Sequence, residues 1–438
     1  MKKGFLRFTL CLLICVSIQL TATAQTVAIP DPILREYIEE VLGKAPGTPI
    51  TVTEMATLTS IEIQEQKRGI NDLTGLDHAI NLTELHLYDS HSISDISPIA
   101  GLTNLTSLGL GHNQISDISP IAGLTNLISL GLAGNRISDI SPIAGLTNLT
   151  ILLLQDNSIS DISAVSGLTN LTILLLQDNS ILDISPVSGL TNLTRLYLEN
   201  NLISDITAIA SLTNLTELDL DGNSISDISP LAGLTNLTEL YLGDNFISDI
   251  SAVAGLTNLT QLRLANNLIS DITAVTGLIN LRSLYLAYNP MIFDLSPLVA
   301  NTGLGEDDWI SVWNRSNFPT NHPDIAVLRE RGVRVQYPFV CTNGLPNYPN
   351  PFRLETWIPY QLREDAFVTL TIYDLSGRIV RTLDIGHQVA GIYTSRFKAA
   401  YWDGRNELDE RVASGIYFYH LSASARDFSI TRRMVILK

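Results

Sequence analysis

His86, His91 and His112, with Asp89, fall in adjacent early repeats of a regular pattern and are of the right types to hold a metal ion. Histidines at repeat edges are more often simply solvated, so no metal is expected. A more regular set is the row of aspartates at 95, 117, 139, 161, 183, 205, 227, 249 and 271. Stacked one repeat apart, about 5 Å, such carboxylates could draw in calcium. Their regularity argues instead for a local hydrogen bond made afresh in every repeat. No nucleophile motif, phosphate loop or zinc spacing occurs, and nothing gathers pKa-tuned groups into a pocket. The chain therefore reads as a protein with no catalytic residues and no cofactor.

The elements that position these residues follow from a period of 22. Asparagines stand at 113, 135, 157, 179, 201, 223, 245, 267 and 289, each closing a leucine-rich phrase. A unit such as 102–123, LTNLTSLGLGHNQISDISPIAG, cannot bury its leucines alone and must stack on copies of itself. Leu105, Leu108 and Leu110 mark a short strand with 108 and 110 turned inward, so stacking yields a parallel sheet. Asn113 ends the strand where the backbone turns sharply, and a buried amide there can satisfy a donor and an acceptor together. Ile115 and Ile118 supply the next inward layer. Ser119 followed by Pro120 reads as a helix cap with proline at the first helical position, so a short helix or 3₁₀ turn crosses the outside. Asp31-Pro32 starts an amphipathic helix that Gly43 stops, Thr51 with Glu54 forms a capping box, and 323–331 and 333–335 read as a last helix and strand. These ends close the array against water.

Residues 1–24 read as a signal peptide: Lys2, Lys3 and Arg7 form a basic start, 8–20 are apolar, and Ala22-Thr23-Ala24 is a small-x-small cleavage site. Two of the three cysteines lie in it, which leaves Cys341 and no intramolecular disulfide. Residues 25–344 carry 34 acidic and 12 basic side chains, whereas 345–438 carry 10 and 12. Nucleic acid is thus excluded as a partner of the array.

The phrase LxxLxLxxNxIxDIxPIxxLxxL resembles the 22-residue leucine-rich repeat of internalins and of phosphatase-regulatory leucine-rich-repeat proteins, and it covers about 58–315. The Leu58 phrase and ten clearer units from Leu82 make eleven, with a last weak phrase at Ile310-Ser-Val312. From 347 the pattern changes to aromatic and β-branched alternation at 357–362, 367–373, 378–383, 415–421 and 428–437, which reads as a β-sandwich. NYPNPF (347–352), TLTIYDLSGRIVRTL (369–383), WDGRNE (402–407), VASGIYFYHLSA (412–423) and TRRMVILK (431–438) resemble the Ig-like domain of flagellar hook-capping proteins and the sorting domains of type IX secretion cargo. The resemblance implies contact with outer-membrane secretion machinery through 347–438. The expected fold is an α/β leucine-rich-repeat solenoid followed by a small all-β Ig-like sandwich. Its parts are a signal peptide (1–24), a helical cap (25–57), the array (58–315), a second cap (316–340), a linker (341–346) and the sandwich (347–438).

The fold leaves side chains free on the concave sheet face. One column reads Gly109, Gly131, Leu153, Leu175, Tyr197, Asp219, Tyr241, Arg263, Tyr285, and beside it run Ser107, Ser129, Ile151, Ile173, Arg195, Glu217, Glu239, Gln261, Ser283. The early repeats present small residues, and the later ones tyrosines among acids. Between them Ile151, Leu153, Ile173 and Leu175 are expected to expose an apolar patch. Units 146–167 and 168–189 differ only at Ser160 against Leu182 and Ala164 against Pro186, so this patch is equally a duplication. Protein-binding residues are expected at Ile151, Leu153, Ile173, Leu175, Tyr197, Glu217, Asp219, Tyr241, Arg263 and Tyr285. The leading expectation is a secreted or cell-surface monomer that binds a protein ligand on this face. The alternative is a stiff envelope spacer without a specific ligand.

Overall fold

A computed structural model describes residues 25–63, 69–289, 292, 294–312, 323–336, 343–344, 346–362, 365–389, 391–393, 399–424 and 428–437. Residues 1–24, expected to be a signal peptide, and Cys341 lie outside them. Thirteen strands among the described residues pair in chain order into one parallel sheet: β1 (Ser60–Ile63), β2 (Glu84–Leu87), β3 (Ser107–Gly109), β4 (Ser129–Gly131), β5 (Ile151–Leu153), β6 (Ile173–Leu175), β7 (Arg195–Tyr197), β8 (Glu217–Asp219), β9 (Glu239–Tyr241), β10 (Gln261–Arg263), β11 (Ser283–Tyr285), β12 (Trp309–Ser311) and β13 (Arg334–Gln336). Sequence order equals spatial order because every crossover is one turn of a coil. The weak phrase at 310–312 is β12, and the last phrase, at 333–335, is β13, which pairs with it.

Each turn of the coil contributes the same inward layer. In the 102–123 unit Leu102, Leu105, Leu108, Leu110, Ile115, Ile118 and Ile121 are all buried, and each such side chain contributes roughly 1.5–3 kcal/mol. Asn113 turns inward at the strand end. Its Nδ2 donates to the carbonyls of Leu87 (3.0 Å), Leu110 (3.1 Å) and Gly111 (3.2 Å), while its Oδ1 accepts the Ile93 amide. The same set recurs through to Asn289, whose Oδ1 accepts the Ile269 amide and whose Nδ2 reaches the Leu264 carbonyl. The asparagine ladder is structural.

A second asparagine ladder runs on the other flank. Asn126 Nδ2 donates to the Thr103 carbonyl of the preceding turn at 2.9 Å, and Asn148 does the same to Thr125. The Asn-Leu-Thr triplets recur because this bond recurs.

The outer segments are 3₁₀ turns such as Ser119–Gly123 and Ser141–Gly145. Their cap differs from the expected one. Ser119 is the first residue of its turn, and the capping oxygen is Asp117 Oδ1, which accepts the Ser119 amide at 2.8 Å. Asp95, Asp139, Asp161, Asp183, Asp205, Asp227, Asp249 and Asp271 do likewise. This is the local bond that the regular spacing called for.

At the N-terminal end, α1 (Pro32–Val41) is capped by Asp31, whose Oδ1 accepts the Ile33 and Leu34 amides. Helix α2 (Val52–Met55) has the Thr51–Glu54 capping box. Helix α3 (Ser296–Ala300) replaces an outer turn, and α4 (Pro323–Glu330) packs Ile325 and Leu328 into the core before β13.

The C-terminal region is antiparallel. Its main sheet has the spatial order 379–388, 366–373, 415–423, 428–436. Smaller ladders pair Thr356–Ile358 with Ala400–Trp402, and Tyr360–Leu362 with both Gly391–Tyr393 and Asn343–Gly344. The expected single strand 357–362 is therefore two strands in two sheets, divided at Pro359, which has no amide to continue a ladder. Trp402, Tyr360 and Tyr419 are fully buried at the centre of this core.

Asn223 makes three buried donations and accepts the Ile203 amide. Asn223→Ala is expected to cost about 3 kcal/mol in urea unfolding, because several buried groups lose partners at once. Asp227→Ala, which loses one exposed bond, is expected to cost much less.

Candidate functional site on the concave face

Alternation along each strand sends residues 107, 109 and 111 of the repeat outward on the concave side while 108 and 110 are buried. The register is unbroken: Gly131, Leu153, Leu175, Tyr197, Asp219, Tyr241, Arg263 and Tyr285 lie side by side on consecutive strands. All ten expected site residues fall on this face, on the seven strands β5 to β11. They form two groups. Ile151, Leu153, Ile173 and Leu175 stack in register, and each is half-buried. The expected exposed apolar patch is thus partly closed by its own stacking. The apolar side chains that do stand in solvent lie elsewhere: Leu182 is 63% exposed, and Leu202, Phe246 and Leu268 are each more than half exposed on the flank that follows the asparagine ladder. Sequence reading passed over that stripe, although its signal, an apolar residue directly after the ladder asparagine at 202, 246 and 268, is plain.

The second group is polar and makes two adjoining sets of contacts. Tyr197 donates its hydroxyl to Glu217 Oε2 at 2.6 Å, and Arg195 Nε holds Glu217 Oε1 at 2.9 Å. Tyr241 donates to Glu239. Arg263 stacks between two rings, its guanidinium carbon 5.0 Å from the Tyr241 centroid and 5.5 Å from that of Tyr285, while Nη1 reaches Asp221 Oδ2 at 2.9 Å. Such contacts fix planar groups in place before any ligand arrives.

Asp221 belongs to a third column that sequence reading missed: Gly111, Ala133, Gln155, Gln177, Glu199, Asp221, Gly243, Ala265, Ala287. One more step of the same alternation would have found it. Asp221 is 6% exposed, and its Oδ1 also accepts the Gly243 amide. Burial raises its pKa, with Arg263 opposing. Burial, joined by repulsion from Asp221 and Asp178, raises that of Glu199. Asp219 is the extreme case. Burial, reinforced by the charges of Asp221 and Glu199 and only partly offset by the Asp221 amide that it accepts, pushes its carboxyl up to about 7. Tyr197 and Tyr241 are raised as well, first by burial and then by bonding to Glu217 and Glu239.

The early repeats are not the bare small-residue surface expected. Tyr88 lies across them: a Cβ at Gly109 would overlap its hydroxyl, and Gly111 also borders its ring. His86 Nδ1 sits 2.9 Å from that hydroxyl and His86 Nε2 3.1 Å from Ser107 Oγ. His86 is thus engaged in holding Tyr88, and among the described residues no group of three His, Cys, Asp or Glu side chains converges as a metal set.

Comparison with known proteins gives this geometry its family. Leucine-rich-repeat models match residues 80–123, 125–168, 169–211, 213–255 and 235–291, and a FlgD Ig-like domain model matches 357–427. Neither is an enzyme family. An internalin (inlF) from Listeria monocytogenes is 32% identical with a TM-score of 0.55, over 65% of this chain and 97% of that one. A leucine-rich-repeat protein of Leptospira interrogans has 24% identity and a TM-score of 0.51, over 65% of this chain and 74% of that one. The plant peptide hormone receptor RGFR1, in complex with RGF2, has 20% identity and a TM-score of 0.50, over 66% and 54%. These last two share the fold. No curated protein sequence matches the chain. The chain belongs to the leucine-rich-repeat family, with internalin-like repeats and a C-terminal FlgD-type Ig-like domain.

The raised carboxyl gives a signed expectation. Its folded pKa of about 7 lies above the ordinary aspartate value, so its favourable neutral form is retained at low pH and is lost as pH rises through about 7. Asp219→Asn should therefore melt higher than the parent at pH 8, with the difference shrinking steadily down to pH 4. A difference independent of pH would show that Asp219 is not destabilised by its charge.

Proposed function

We propose that the chain is an exported protein-binding protein that captures a protein ligand on its concave face, and that residues 347–438 direct export or surface attachment. The observation that carries this reading is the in-register row of tyrosines at 197, 241 and 285, each on a sheet strand and set among carboxylates and arginines. Tyrosine offers a large, stiff, amphipathic contact surface, and rings already fixed by Glu217, Glu239 and Arg263 lose little freedom on binding. The seven strands β5 to β11 together span about 30 Å, enough for an interface of standard size. The half-buried leucine and isoleucine stack at 151–175 borders the tyrosines, so apolar and polar contacts adjoin as they do in interface centres.

Export rests on the signal-like segment 1–24 and on the likeness of 347–438 to sorting domains. Among the described residues no helix is long and apolar enough to cross a membrane.

Two experiments separate the parts of the proposal. In a pull-down from surface extracts, Tyr197→Ala with Tyr241→Ala should lose capture by at least about 2 kcal/mol while the melting temperature stays within about 3 °C. Undiminished capture would move the binding surface off the concave face. Deleting 347–438 should hold the chain in the periplasm of its host, and normal release of the shortened protein would remove the sorting role.

A further inference from the structure

The array contains its own model of what its concave face can hold. On β9, β10 and β11 the residues Tyr241, Arg263 and Tyr285 lie in register, and the guanidinium sits between the two rings with Asp221 as its counter-ion. On β7, β8 and β9 the same frame repeats as Tyr197, Asp219 and Tyr241. The tyrosines are again two strands apart, about 10 Å, which matches a cation 5.0 Å from one ring and 5.5 Å from the other. The middle position here carries a carboxylate where the neighbouring frame carries its arginine. The second frame thus has a carboxylate in the arginine's place and no arginine of its own.

Charge counting agrees. Around this frame stand Glu199, Glu217, Asp219, Asp221 and Glu239, against Arg195 and Arg263. Arg195 pairs with Glu217 and Arg263 with Asp221. That leaves Glu199, Asp219 and Glu239 without an ion pair among the described residues. Both ring tips are already tied, Tyr197 to Glu217 and Tyr241 to Glu239, so the walls are set before anything enters.

We infer that the slot between Tyr197 and Tyr241, floored by Asp219, receives an arginine side chain from a basic segment of the protein ligand. The inference rests on the concave-face reading proposed above and specifies the ligand's chemistry. Arginine fits better than lysine because its planar, weakly hydrated guanidinium stacks on ring faces while its edge donates to a carboxylate. The elevated pKa of Asp219 accords with this, since its burial beside Asp221 and Glu199 is only partly offset by the Asp221 amide and the charge of Arg263. Binding should therefore strengthen with pH. With Asp219 near 7, affinity is expected to rise roughly ten-fold from pH 6 to pH 8. The groups facing Asp219 that could modify this are Glu199, Asp221, Glu217, Glu239, Tyr197, Tyr241, Arg195 and Arg263, and no histidine is among them.

Hexa-arginine, with hexacitrulline as its uncharged isostere, tests the slot by titration onto the purified protein. Hexa-arginine should bind and hexacitrulline should not. Asp219→Asn, and separately Tyr197→Leu with Tyr241→Leu, should each weaken hexa-arginine about ten-fold. Asp139→Asn removes the same charge from the outer aspartate row, where the side chain caps Ser141, and should change affinity less than two-fold. Equal losses from Asp219→Asn and Asp139→Asn would reduce the binding to diffuse attraction by an acidic array and overturn the slot, as would binding untouched by Asp219→Asn. If the tyrosine pair proves necessary for protein capture while Asp219→Asn leaves it intact, the concave face stands and the slot falls. If neither change affects capture, both fall.

Discussion

Everything in this array depends on peptide groups that would otherwise be buried without partners where each strand turns back. The residue before each ladder asparagine adopts a left-handed backbone: Asp156, Asp178, Asn200, Asp244, Asn266 and Tyr288 have φ between 52° and 59°, and Gly134 and Gly222 fill the same position. That turn points amides and carbonyls into the core, and the asparagine side chain satisfies them from inside. One amide binds carbonyls of its own turn and the preceding one, and also accepts an amide of that preceding turn. The ladder therefore closes each turn and fixes its stacking on the last. Leucine burial supplies the larger energy, but it is non-directional and would tolerate slippage. The amides set the register.

Register is what gives the concave face its meaning. With every strand aligned residue for residue, side chains 22 positions apart become neighbours, and a change of residue type along the chain becomes a change of chemistry along a surface. The ion pair of Arg263 with Asp221 spans two turns of the coil, and Tyr197 reaches Glu217 on the next turn. Neither contact would survive a shift of one residue in either strand. Glu199 relies on the same alignment, since it is the neighbouring turn that brings it close enough to Asp221 for its own pKa to rise and close enough to Asp219 to raise that one.

Most of the fold was legible in the sequence because the period carries it. The eleven leucine phrases, the weak twelfth and the final strand all appear as strands of one sheet, and the asparagines do what a buried amide at a turn must do. What escaped reading lay where tertiary neighbours decide. Ser119-Pro120 looked like a cap, yet Asp117 two residues earlier supplies the oxygen. Gly109 and Gly131 looked bare, yet Tyr88 from an earlier turn covers the first of them. Ile151 and Leu153 looked exposed, yet the duplicated turn beside them half-buries both. The third column lies beyond the short strand that the leucine spacing marks, where the alternation continues. In the sandwich, Pro359 divides an apparently continuous strand, a division that only the partners of its two halves reveal.

The regular part of each repeat builds the scaffold, and the irregular columns of β5 to β11 are proposed to do the binding. Amide hydrogen exchange on the protein with a captured partner, compared with the free protein, tests this most directly. Added protection is expected in the strands around 151–155, 173–177, 195–199, 217–221, 239–243, 261–265 and 283–287, with the outer turns unchanged. Protection confined to the outer turns, to the flank bearing Leu202, Phe246 and Leu268, or to the C-terminal sandwich would contradict it.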